Sequence, residues 1–146
     1  GQLERTLSRR EAQAVNLLSF TGHERMQIPL SKEGVLEVVS RRPQVQVSCR
    51  GEELSVQIGL TVNGKLRGLP PGEYHPGLAQ QAAQVLQGMI ENTLRRRLEE
   101  GCDVFGLERY VRKYQNAYYE VHREETLRRL AGAQITVQVS VQLTGN

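Results

Sequence analysis

The sequence predicts a two-layer α+β domain, a mainly antiparallel sheet with helices packed on one face. Three observations lead there. Residues 44–49, 54–62 and 134–143 each alternate apolar and polar side chains at period two, which gives each strand one face for a core and one for water. Residues 76–130 repeat their apolar side chains at helical spacing instead. The repeated strand-helix-strand order that builds a doubly wound parallel sheet is missing. At 146 residues the chain has the length of one domain, 1–146.

The first helix starts at Ser8-Arg9-Arg10-Glu11, a capping box in which the Ser hydroxyl and the Glu carboxylate satisfy two backbone amides. It runs to about Leu18 with Ala12, Val15 and Leu18 inward, and Thr21-Gly22 ends it. Met26, Ile28 and Leu30 alternate as a short strand, Ser31-Lys32-Glu33-Gly34 turns, and Val35 to Ser40 returns. Arg41-Arg42-Pro43 interrupts the extended pattern, because proline cannot donate to a ladder. Val45, Val47 and Cys49 resume it, Arg50-Gly51-Glu52-Glu53 turns, and Leu54, Val56, Ile58, Leu60 and Val62 form the clearest strand. Asn63-Gly64 offers a tight turn, and the Pro- and Gly-rich stretch 67–76 connects to the helices.

A long helix is expected from about Pro76 to Glu100, closed by Gly101. Asp103, the only aspartate of the chain, stands where an N-cap is wanted before Leu107, Tyr110, Val111 and Tyr114. A last helix covers roughly Asn116 to Leu130, with Tyr119, Val121, Leu127 and Leu130 toward the core. Ile135, Val137, Val139, Val141 and Leu143 then alternate with polar residues as the final strand.

Composition excludes more than it identifies. The chain is 38% hydrophobic and 24% charged, has a mean hydropathy of −0.47, and lacks any apolar run near the length of a membrane span. A formal net charge of +3 is no nucleic-acid signature. The chain begins at Gly1 with no basic-then-apolar leader to read as a secretion signal. Cys49 and Cys102 fit one disulfide or two buried apolar groups, and His23, His75 and His122 lack zinc-ligand spacing.

Neither the calcium-loop pattern nor the serine-hydrolase elbow, the phosphate loop or the dinucleotide fingerprint occurs. No cofactor, metal or catalytic set is therefore expected. His122 beside Glu124 and Glu125 reads as a surface residue, and the tyrosines 110, 114, 118 and 119 among basic residues read as core packing before base stacking. Arg95, Arg96 and Arg97 close the long helix, where cations complement its dipole. They read as a solvated helix end and, alternatively, as a contact for an anionic ligand or membrane surface.

The run Asp103-Val104-Phe105-Gly106-Leu107-Glu108-Arg109-Tyr110-Val111-Arg112-Lys113-Tyr114, then a helix, then a strand closing in Leu143-Thr144-Gly145 carries a resemblance. It resembles the C-terminal domain of the Ger(x)C family, the lipoprotein C subunits of spore germinant receptors. The order of the earlier elements agrees, so the resemblance spans nearly the whole chain. It departs where the family commonly has a tryptophan and this chain has Tyr118 and Tyr119, and in favouring arginine over lysine. The resemblance implies a non-enzymatic part of a longer lipoprotein subunit, lipid-anchored outside this segment at the outer face of the spore inner membrane. It implies the membrane-embedded A and B receptor subunits as partners, and no nucleic acid.

Two sites follow for such a protein. Asp103, Phe105, Gly106, Tyr110 and Tyr114 form a structural motif: the Asp caps, the Phe enters the core, and the Gly admits a close neighbour. The polar side of the sheet, with Gln44, Gln46, Gln57, Gln138 and Gln142, is the expected partner interface, since uncharged amides cost less to desolvate than Lys or Glu. The plain alternative is that these residues are only the neutral outward complement of a half-buried sheet.

Overall fold

The structure is a computed structural model that describes residues 7–19, 25–30 and 34–144. Helix α1 (Arg9–Leu17) is followed by strands β1 (Met26–Pro29), β2 (Val35–Arg50) and β3 (Glu53–Arg67). After a 3-10 turn at Pro71–Glu73 come α2 (Leu78–Glu99), α3 (Leu107–Tyr114), α4 (Asn116–His122), a second 3-10 turn at Arg123–Glu125, α5 (Thr126–Ala131) and β4 (Gln134–Leu143). The expected turns at Thr21-Gly22 and Ser31-Lys32-Glu33, His23 and the closing Gly145 lie outside the described residues.

The sheet order is β1-β2-β3-β4. The first two pairings are antiparallel and the third, β3 with β4, is parallel. Alternation fixes which face a strand buries, not which way it runs. Here the whole helical segment acts as one crossover, so a single βαβ unit is present although the sequence pattern showed none.

Two further expectations are corrected. The Arg41-Arg42-Pro43 interruption is no break: β2 is continuous, and the irregularity lies at Val39, where the register to β3 shifts between Val38 and Ser40. One inserted residue moves side chains to the other face. The buried positions accordingly change from Leu36 and Val38 to Pro43, Val45 and Val47. Proline is tolerated because, among the described residues, β1 pairs with Val35–Val38 alone and the rest of β2 is an edge. Asn63-Gly64 is not a turn either, since β3 runs through it. Gly64 lies opposite Val38, where an added Cβ would fall 2.6 Å from the Glu37 carbonyl oxygen.

The core lies between one sheet face and the helices. Val56, Ile58, Leu60 and Val62 of β3 meet Leu86 and Ile90 of α2, Leu107 and Val111 of α3, and Leu130 of α5, all buried. Each such side chain contributes about 1.5–3 kcal/mol of transfer free energy. Helix α2 packs on β4, α3 on β2 and α5 on β3, while α1 packs on α2. In α1 the buried face is Glu11, Ala14 and Leu17, one step round from the expected Ala12 and Val15.

The expected helix 116–130 is broken at Arg123–Glu125. Thr126, fully buried, donates its hydroxyl to the His122 carbonyl at 2.9 Å. The inward stripe is nevertheless continuous through the break: Tyr118, Thr126 and Leu130 are buried and His122, Tyr119 and Leu127 half-buried, while Val121, expected inside, is 75% exposed.

Candidate interaction surface

Asp103 follows the α2 terminus, where Gly101 takes φ 79° and the Cys102 amide donates to the Arg97 carbonyl at 2.7 Å. Its carboxylate accepts from the backbone amides of Leu107 at 2.7 Å and Glu108 at 2.9 Å. It therefore caps α3 as expected, but across a turn. The Gly106 amide donates to the Asp103 carbonyl at 3.1 Å, and Gly106 itself, at φ 69°, is the residue flanking the helix. An anion there complements the helix dipole. Burial, and then the Asp103 charge, push the Glu108 carboxyl above its usual range.

Gly106 does meet a close neighbour, since a Cβ would fall 2.8 Å from an Arg109 guanidinium nitrogen. Phe105 reaches only the rim of the core, packing against it without being fully buried. It is half-buried in a surface hollow of about 610 Å³ shared with Val15, Leu18 and Tyr110. Tyr114 is likewise corrected: only Leu107 and Val111 of α3 are buried. Tyr110 stacks on Tyr114 at 6.4 Å between ring centroids, and Tyr114 remains 46% exposed beneath the Lys113 ammonium. Leu107 and Val111 form the buried stripe of this eight-residue helix, and Tyr110 packs half-buried beside it.

The three arginines part ways. Arg95 and Arg96 are exposed, but Arg97 is buried and is neither solvated nor available to an anion. Its Nη2 and Nε donate to Glu11 at 2.7 and 3.0 Å, and Nη1 donates to Glu100 at 3.1 Å. Glu11 also accepts from the Ser8 backbone amide at 3.0 Å, so one carboxylate closes the α1 capping box and ties α1 to α2. The Arg97 hydrogen bonds, helped by the Ser8 amide and opposed by burial, hold its carboxyl at about 2. The capping box was legible; a pairing across the fold leaves no local pattern.

A second, half-buried arginine was also missed. Arg129 Nε and Nη2 donate to Glu125 at 3.1 and 3.0 Å, and its Nη1 donates to the Glu52 carbonyl at 3.2 Å. The Tyr118 hydroxyl donates to that same carbonyl at 2.7 Å, so both fasten the helices to the β2–β3 turn. The ring of His122 leans on Tyr118, with Nδ1 4.0 Å from Glu125. Both cysteines are free, and the Cys49 thiol donates to Gln115 at 3.1 Å.

The other sheet face brings the expected glutamines together. Gln44, Gln46, Gln57, Gln138 and Gln142 are all exposed on it. Register aligns them in rows across three strands: Gln46 beside Gln57 beside Thr136, Gln44 beside Gly59 beside Gln138, and Ser40 beside Asn63 beside Gln142. Arg42 interrupts with a charge in the row of Thr61 and Ser140. The Glu37 carboxylate, 2.8 Å from Arg67 and 3.4 Å from Arg25, puts a charged corner at the β1 end.

Among the described residues no group of three or more His, Cys, Asp or Glu is disposed to hold a metal ion, and no helix is long and apolar enough to cross a membrane. The arrangement offers a hydrogen-bonding face backed by a packed core.

No curated protein matches the sequence. Among solved structures, the crystal structure of the GerBC protein is similar in fold, with a TM-score of 0.77 and 11% sequence identity over 95% of this chain. This chain spans 46% of that one. The model of the family described as spore germination B3/GerAC-like, C-terminal, matches residues 1–146. The expectation from the Asp103 run and the order of elements is thereby confirmed, and the chain belongs to the spore germination B3/GerAC-like C-terminal family.

Proposed function

We propose that this domain is a non-catalytic assembly module of a spore germinant receptor, docking through its uncovered sheet face on the membrane-embedded A and B subunits. The longer protein is held by an N-terminal lipid at the outer face of the spore inner membrane. The observation that carries this reading is the polar face itself, in a chain of this family. Three strands present amides and hydroxyls in register, backed by a core that fixes them, and amides are cheaper to desolvate on docking than the charges solubility alone would favour. The anionic-ligand reading is weaker, because Glu11 and Glu100 occupy the third arginine of its cluster.

The test is the pair Gln46→Glu with Gln57→Lys, directly opposite one another. The two introduced charges can pair across the strands, so thermal stability stays near that of the parent. Docking must desolvate both, so the A and B subunits no longer co-purify and germination fails in spores carrying the variant. Normal assembly and germination would refute the proposal.

A further inference from the structure

The two edges of the sheet differ in how they are protected. On the β1 side, β1 is four residues long and ends in Pro29. The β2 edge beyond it has the bulge at Val39, the half-buried Arg41 pointing to the core side opposite Val62, and Pro43. Short strands, bulges, inward charges and prolines are the devices that stop an edge from recruiting another strand. Strand β4 has none of them. Its sequence Gln134–Leu143 contains no charge and no proline, and its pairing with β3 is unbroken.

The backbone of β4 is also divided in a way that suits pairing. The amide of Thr144 donates to the Gly64 carbonyl at 2.9 Å, so even-numbered amides face β3. The amide of Val139 points to the outer side, where Gln87 Oε1 meets it at a long 3.4 Å. The remaining odd-numbered amides share that outward direction, because backbone direction repeats every second residue. The core-side side chains tell the same story: Ile135, Val139, Val141 and Leu143 are half-buried, while their counterparts on β3 are buried.

We propose that β4 pairs antiparallel with β4 of a second copy of this chain, continuing the sheet through a two-fold axis near Val139. That register sets Val137 opposite Val141 and Ile135 opposite Leu143 as hydrogen-bonded pairs on the core side. On the polar side it sets Gln138 opposite Ser140 and Thr136 opposite Gln142. Apolar meets apolar and neutral polar meets neutral polar. A strand reserved for a different partner gains from a charge that bars self-pairing, and β4 carries none. Gln87 is a stopper on the lone protomer and swings aside when the second strand arrives.

The experiment is sedimentation of the natural full-length protein over a dilution series, with hydrogen exchange read at Val137 and Val141. A dimer is expected, with protection at those amides rising with protein concentration. Val141→Pro removes one outward donor. Ser140→Lys and Ser140→Glu, at an exposed position, each set like charges diagonally across the axis, so each is expected to weaken the dimer about tenfold or more. An equimolar mixture of the Lys and Glu variants restores it. The face variant Gln46→Glu with Gln57→Lys leaves the dimer intact, which separates this edge contact from receptor docking. A monomer at every concentration, a dimer that neither Val141→Pro nor the charged variants weaken, or edge protection independent of concentration would each overturn the proposal.

Discussion

Replacing Glu11 by alanine tests the helical layer most directly. The carboxylate accepts two hydrogen bonds from Arg97 and one from the Ser8 amide, and both charged side chains are buried. Removing one member of a buried pair costs about 3–5 kcal/mol, because the other charge stays desolvated. Glu100, still 3.1 Å from the guanidinium, holds the expected loss near the lower end, about 3 kcal/mol. That is a large part of the roughly 5–15 kcal/mol by which domains are stable, and urea denaturation at neutral pH measures it. Acid gives a second readout. The Glu11 carboxyl is lowered from 4.5 to about 2 in the folded protein, so its contribution is complete above pH 4.5 and drains away as pH falls through about 2. Parent and variant should therefore converge over that interval. A difference below about 0.5 kcal/mol at neutral pH, or a gap that stays constant on acidification, would refute the reasoning. Replacing both Glu11 and Arg97 by methionine should recover much of the loss.

Asp103→Ala removes the acceptor of two α3 amides and should cost about 1 kcal/mol by denaturant titration. Phe105→Ala, at a half-buried site, should cost about 1–2 kcal/mol rather than the 3–5 kcal/mol of a core aromatic. Gly64→Ala drives a methyl onto the Glu37 carbonyl and should destabilise by about 1–3 kcal/mol, with the amide shifts of Val38 and Ser40 moving in an NMR spectrum.

Local patterns that depend on neighbours in sequence were legible. Ser8 and Glu11 announce a capping box that forms, and the alternation over 44–49 in β2, 54–62 in β3 and 134–143 in β4 puts the apolar residues on the core side and the five glutamines on the exposed side, as they are found. What was lost depends on partners far along the chain. An inserted residue at Val39 looks in sequence like an interruption two residues later, because the phase of the apolar pattern changes before the eye can locate the slip. Strand direction has no signature in β4 itself; it follows from which end of the sheet the helices return to. The Arg97 partner lies in the first helix, so a triple arginine read alone suggests solvent. The inward phase beyond Asn116 was misjudged at Val121 because the stripe that is buried, Tyr118, Thr126 and Leu130, includes residues with polar ends, and the more apolar Val121 was assigned to it instead.

The parallel pairing of β3 with β4 imposes an order on folding. Ser55 lies beside Gln134, and between them stand all the helices from α2 to α5. A chain emerging from the ribosome can zip β2 onto β3 across the Gly51-Glu52 turn at once, but β3 keeps a bare edge, and α2 an unfloored apolar stripe, until residues 134–143 are made. The last strand is thus a keystone. During that interval the nascent domain is at its most sticky and its most open to proteases, and a truncation before Gln134 should release an incomplete body for degradation rather than a smaller stable one.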